Sequence, residues 1–217
     1  MTEACQYLHD MLSHLPRLKR EDLAQVPKNG IYILFENGEK GHGGERIVRV
    51  GTHRGQNNLL GRIREHLYNT NKDRSIFRKH VGRSLLAKAG DPFLAQWEID
   101  LTTKASRALN ECTVDRDRLQ DVEVDVTGYM VEHFSFAVLR FDHAADRRDH
   151  EECLLSTIFD CPDCGPSETW LGKFHPTSTL IRTCGLWNVQ NLRGKVLSAN
   201  EARHLVETGS SITSELT

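Results

Sequence analysis

The chain has 217 residues, 38% hydrophobic and 27% charged, with a formal net charge of −2; this fits one domain with extensions, or at most two small ones, and excludes a disordered chain. No apolar run approaches the roughly 20 residues that span a bilayer, and Met1-Thr-Glu-Ala-Cys5 lacks the basic and apolar regions of a secretory signal. A soluble, cytosolic protein is expected, its six cysteines too dilute for a disulfide scaffold.

Leu8, Met11, Leu12 and Leu15 fall at helical spacing and predict an amphipathic N-terminal helix, limited by Pro16. Pro27-Lys28-Asn29-Gly30 is turn chemistry that launches a short strand, Ile31 to Phe35. In that strand Ile31, Ile33 and Phe35 share one face, Tyr32 and Leu34 the other. Gly38, Gly41, Gly43 and Gly44 read as a flexible hairpin loop, and Ile47 to Val50 as the returning strand ended by Gly51. Asn57 or Asn58 can cap a helix with the apolar stripe Leu59, Leu60, Ile63 and Leu67.

A second helix is predicted from Ser75 to Lys88, then a strand or extended crossing from Phe93 to Ile99. Residues 100–125 read as an acidic, inserted helical excursion. His133 to Phe141 has the aromatic and β-branched content of a buried third strand, and Arg147 to Phe159 reads as helix. Trp170, Leu171, Leu186 and Trp187 belong to loop-rich packing, and the chain after Ser198 to one short amphipathic helix frayed at Gly209-Ser-Ser. The expected class is α+β: a small three-stranded mixed or antiparallel sheet flanked by helices. The expected organisation is a helical arm (1–27), one domain (28–192, with an insertion at about 92–130) and a tail (193–217).

Charge is distributed unevenly. From His53 to Lys88 there are nine Lys or Arg against two acids, whereas Glu98 to Asp125 holds eight acids against four bases. A local cationic surplus attracts a polyanion even on a near-neutral protein, unless it is only a solvated helix face.

Phosphodiester hydrolysis needs a group that orients water, a cation for the phosphoryl charge, and usually a metal. Tyr32, held rigidly by its strand, suits the first. Arg62 suits the second, because its guanidinium fork matches phosphate geometry and stays charged. His66 follows at i+4 on the same helix face. In Glu151-Glu-Cys-Leu-Leu155 the leucines face the core at i+3 and i+4, so Glu151 points along the inner side of its helix, where a charge is costly unless it binds something.

These residues, in this order, resemble the GIY-YIG nuclease superfamily over about residues 28–192. The match comprises Gly30-Ile31-Tyr32, Arg49-Val50-Gly51 in the place of the second tripeptide, Leu59-Leu-Gly-Arg-Ile-Arg-Glu-His66, and Glu151-x-x-Leu-Leu155. Arg49-Val-Gly-Thr-His53, Ser75-Ile-Phe-Arg-Lys-His-Val-Gly82 and Trp170-Leu-Gly172 with Gly185-Leu-Trp-Asn188 look like a bacterial branch of it. The resemblance implies Tyr32 as the phenol that orients or deprotonates water, Arg62 as the phosphate clamp, Glu151 as protein ligand of one Mg²⁺ or Mn²⁺, and His66 as assistant to the tyrosine or the water. Arg49, His53, Arg64, Arg74, Arg78 and Lys79 are the expected substrate contacts. Two positions depart from the pattern. Arg49 replaces the second tyrosine, and Asp163 stands at the spacing of the family asparagine, with Thr169 and Asn188 further on.

Cys161-Pro-Asp-Cys164 supplies half of a structural zinc site. His150, Cys153, His175 and Cys184 are candidates for the other half, but no second pair is evident, and free thiols in a turn are expected. The expected activity is therefore a metal-dependent DNA endonuclease of restriction, phage defence or a mobile element, binding nucleic acid and no membrane, with a homodimer left open. An inactive binding module on the same fold and an RNA- or single-strand-specific nuclease are the alternatives.

Overall fold

The computed structural model describes residues 2–211. Helix α1 (Thr2–Ser13) precedes a hairpin of β1 (Ile31–Gly41) and β2 (Gly44–Gly51), which leads into α2 (Leu59–Leu67), α3 (Ile76–Ala89), α4 (Leu94–Trp97), α5 (Lys104–Leu109) and α6 (Arg116–His133). Strand β3 (Phe134–Leu139), α7 (Ala144–Phe159), α8 (Thr179–Cys184) and α9 (Ala199–Ser211) complete the order. The sheet is antiparallel throughout, in the order β2-β1-β3. No helix among the described residues is long and apolar enough to cross a membrane.

Period-two alternation in β1 divides the core. Ile31, Ile33 and Phe35 pack beneath α1, α7 and α9, while Tyr32 and Leu34 pack with α2, α3 and α6 on the other face. Both sheet edges are covered. Leu18 pairs with Phe136 on the outside of β3, and the Trp187 N–H donates to the Val48 carbonyl on the outside of β2 (2.8 Å). Glu36, buried in β1, accepts from the Trp170 and Trp187 indoles (2.8 and 2.9 Å) and from the Tyr129 hydroxyl (2.5 Å). Burial pushes its carboxyl upward, and these three donors oppose the shift. One carboxylate thus ties the two tryptophan segments to the sheet.

Several expectations change. The glycine-rich stretch is strand rather than a flexible loop: β1 and β2 extend until Gly41 pairs with Gly44, leaving a two-residue turn. His42 and Gly43 both have positive φ there (51° and 80°), as a type I′ turn requires. Phe93 to Ile99 contains the short helix α4, because the Asp91 carboxylate accepts the Phe93 N–H (2.8 Å) and Trp97 turns inward. Met11 is 40% exposed, and Cys5 takes the buried position instead. Helix α9 continues to Ser211 and buries Ala202, Leu205 and Val206 in the core shared with α1. Residues 212–217 of the expected tail lie outside the described residues.

Four of the nine basic residues are engaged within the protein, two of them buried. Arg78, fully buried, binds Glu123 (2.7 Å), Arg83 binds Glu98 (2.5 Å), and the Lys79 ammonium donates to the Glu98 carbonyl (2.9 Å). Lys72 is also buried, held by Asp73 and the Ile99 carbonyl. Glu98 and Glu123 of the acidic segment are thus counter-charges to Arg83 and Arg78 of the basic one.

A pair of buried histidines should make the fold acid-sensitive. His175 Nδ1 accepts the Ser178 N–H (3.0 Å), which places its proton on Nε2, facing His80 Nδ1 at 2.8 Å. Burial first, then neighbouring positive charge, pushes His80 down to about 3 and His175 to about 4. A depressed histidine contributes stability above the unfolded value near 6.5 and loses it as pH falls through the folded value. Each should cost about 1.4 kcal/mol per pH unit in that window. The melting temperature is expected to fall steeply as pH drops from about 6.5 to about 4, and less steeply in His80→Gln. A flat profile across that window would refute the account.

Candidate functional site

An open cleft of about 990 Å³ runs between the end of β2, α2, the start of α3 and the first turns of α7. Arg54, Arg62, Arg74 and Arg148 line it, against Glu65, Asp73, Asp149, Glu151 and Glu152. Four arginines facing five carboxylates make a mixed surface rather than a uniformly basic one.

Glu151 stands half-buried in the wall, one turn before the fully buried Leu154 and Leu155. Burial raises its carboxyl, opposed by Arg49, the Thr52 backbone N–H and Arg62 in turn. It is an anion partly removed from water and facing open space. Arg62 enters from α2, its Nη1 on Glu65 (3.1 Å) and more distantly on the Arg74 carbonyl (3.4 Å). Such a part-exposed i,i+3 pair contributes only about 0–1 kcal/mol, so the guanidinium can exchange it for a phosphate.

Tyr32, His66 and Arg49 lie behind the cleft surface, each under 10% exposed. Tyr32 pairs with Gly51 across the hairpin, and a Cβ on Gly51 would collide with the phenol hydroxyl and ring. Glycine at the end of β2 is therefore required by the close approach of Tyr32. The tyrosine and His66 rings are 5.6 Å apart. His66 Nδ1 bonds the Ser75 hydroxyl (2.6 Å), the same oxygen that caps α3 by accepting the Arg78 N–H (3.2 Å). Its Nε2 is buried without a partner. Burial, with Arg49, Arg62 and Arg78 adding repulsion, holds the imidazole neutral well below its ordinary value. A neutral imidazole keeps one unprotonated ring nitrogen that can accept a hydrogen bond, which imidazolium lacks.

Arg49 lies over the Phe77 ring (4.8 Å) and donates to the Trp187 carbonyl (3.2 Å). It acts on Glu151 and His66 through its charge. Next to it, Asn188 reads both polar groups of Val50, accepting from its N–H (3.2 Å) and donating to its carbonyl (2.9 Å). Asn188 therefore closes the free edge of β2, while Asp163 and Thr169 are exposed elsewhere.

Of the expected substrate contacts, Arg74 and His53 line the cleft. His53 is buried, and burial followed by Arg147 lowers its pKa. Arg64 is exposed but outside the cleft lining. Arg78 is corrected: it has no exposed surface, because its guanidinium is consumed by Glu123 and Thr127. Lys79 is likewise directed to the Glu98 carbonyl. The sequence reading missed Arg148, Asp149 and Asn191 in the lining, and Arg147. Buried Arg147 donates to the carbonyls of Gly55, Phe141 and Asp142 (2.7, 3.1 and 2.7 Å), pinning the loop after β2 to the start of α7. Its i+4 spacing from Glu151 was the available signal.

A family model described as GIY-YIG domain matches residues 3–205. No curated protein and no solved structure matches the chain. The matched segment takes in α1 and most of α9, in keeping with the single core they share. With nearly its whole length matched, the chain belongs to the GIY-YIG domain family, whose members are nucleases.

Proposed function

We propose that the protein is a divalent-metal-dependent endonuclease that hydrolyses DNA phosphodiester bonds in this cleft. The observation that carries the reading is the convergence of Glu151 and Arg62 on one open cleft, with Tyr32 and neutral His66 directly behind it. Glu151 fits the cation: a raised, part-buried carboxylate gains from a divalent ion, and Mg²⁺ is held by one or two carboxylates with waters and substrate phosphate. The bound ion would polarise the phosphate and stabilise the leaving oxygen. Arg62 takes the scissile phosphate in place of Glu65 and neutralises its equatorial oxygens. Tyr32 orients the attacking water, and neutral His66, its ring 5.6 Å from the phenol ring, assists by holding the tyrosine from behind. Arg54 and Arg74 steady the flanking backbone, contacts that position without reading sequence.

Incubation of the purified chain with supercoiled and linear DNA, single-stranded DNA and RNA tests this, with Mg²⁺, Mn²⁺ or EDTA. Metal-dependent cleavage of duplex, lost in Arg62→Ala, is expected. Binding without cleavage of any substrate would replace the enzyme by an inactive module, and cutting confined to RNA or single strands would change the substrate class. Gly51→Ala is expected to cost about 10²-fold in rate, because the new methyl displaces the Tyr32 hydroxyl, and about 1–3 kcal/mol in stability. An unaltered rate in a folded Gly51→Ala protein would remove Tyr32 from the chemistry.

A further inference from the structure

The geometry points to a structural zinc site, built by Cys5, His42, Cys161 and Cys164, on the sheet face opposite Tyr32. The four ligand atoms all lie within 4.8 Å of one another. Cys5 Sγ is 3.4 Å from Cys164 Sγ, and Cys161 Sγ is 3.4 Å from His42 Nε2. A tetrahedral ion with ordinary Zn–S and Zn–N bonds has edges of about 3.8 Å between sulfurs and about 3.6 Å from sulfur to nitrogen. The cluster is within a few tenths of an ångström of that shape at both measured edges. The two sulfurs at 3.4 Å are also too far apart for a disulfide, and all six cysteines are free.

The ligands come from three separate parts of the fold. Cys5 stands on α1, His42 at the tip of the β1–β2 hairpin, and the Cys161–Cys164 turn directly follows α7. The type I′ turn holds His42 with positive φ, so a side chain sits where glycine or asparagine is usual. His9 is close by but is not a ligand. Its Nδ1 bonds the Cys5 carbonyl (3.0 Å) and its Nε2 takes the Ile47 N–H (3.2 Å), so both nitrogens are committed and the ring braces Cys5. The expected second-half candidates are engaged elsewhere: His175 with His80, His150 against Phe141, Cys184 against the Leu186 backbone, and Cys153 outside the cluster.

Three thiolates select zinc over magnesium, and four protein ligands close the coordination shell, the mark of a structural ion. The three sulfurs belong to the core under α1, whereas Tyr32 belongs to the opposite one. This ion would therefore cross-link α1, the hairpin and α7 without meeting substrate.

Elemental analysis of the full chain, purified without chelator under reducing conditions, should find one zinc per chain. Zinc should fall to near zero in Cys164→Ser and substantially in His42→Ala. Should Cys164→Ser fail to fold, cobalt exchange into wild type gives a second measurement: tetrahedral cobalt with thiolate ligands has intense visible bands and a near-ultraviolet charge-transfer band. Glu151→Gln should retain full zinc, so a failed cleavage assay and a failed zinc assay are independent results. Metal-free protein that folds and gives no cobalt–thiolate spectrum, or a Cys5–Cys164 disulfide by mass spectrometry, would overturn the proposal.

Discussion

Glu151→Gln should reduce cleavage by at least about 10³-fold while leaving the melting temperature unchanged or slightly raised. Both halves of that result follow from one observation. Burial raises the Glu151 carboxyl in spite of Arg49, Arg62 and the Thr52 N–H beside it. A folded pKa above the unfolded one gives stability below the unfolded value, lost as pH rises through the folded value. At neutral pH the ionised side chain therefore costs the fold free energy. Glutamine keeps the shape and removes the charge, so the site loses its anionic ligand and the fold loses nothing. Mg²⁺ should raise the melting temperature of wild type, because it binds only the folded state, and should not raise that of the variant. Single-turnover cleavage and thermal unfolding of one preparation test both halves. A variant that cuts normally, or melts several degrees lower, would make Glu151 a structural carboxylate.

What the sequence disclosed was local. Alternation in Ile31 to Phe35 separated Tyr32 from its neighbours and Leu154-Leu155 oriented Glu151, whereas i+4 spacing set His66 near Arg62 although only Arg62 lines the cleft. Each depends on backbone periodicity alone. What it concealed was pairing between distant segments. Glycine density suggested a loop at Gly38–Gly44, but cross-strand bonds carry both strands to a two-residue turn. The basic run looked like a nucleic-acid surface because its acidic partners, Glu98 and Glu123, come later in the chain. Cys161 and Cys164 lacked a visible second half because Cys5 and His42 reach them only through the packing of α1 and the hairpin. Arg49 looked like a surface phosphate ligand, and only the Phe77 ring and the Trp187 carbonyl reveal it as buried.

Arg78→Met is expected to destabilise the protein by about 3–5 kcal/mol, on the order of 10 °C in melting temperature for a chain of this size. The arginine donates to Glu123 Oε2 through Nε and Nη2 (3.2 and 2.7 Å), and through Nη2 to the Thr127 hydroxyl (2.8 Å) and the Glu123 carbonyl (3.1 Å). Without it Glu123, 4% exposed, keeps only the Lys72 backbone N–H, and an uncompensated buried charge is the larger part of the penalty. Removing that charge as well should therefore restore much of the loss. Arg78→Met with Glu123→Gln keeps an oxygen for Lys72 N–H and should melt well above the single variant. A non-additive double-mutant cycle of this kind separates charge from packing. The effect should also reach the cleft. Glu123 anchors the turn at Lys72 that precedes Asp73, Arg74 and Ser75, the last of which holds His66. Cleavage by Arg78→Met, measured below its melting transition, is expected to fall and to recover in the double variant. A single variant that loses stability but cuts at the wild-type rate would show that α3 and α6 support the fold without setting the geometry of the site.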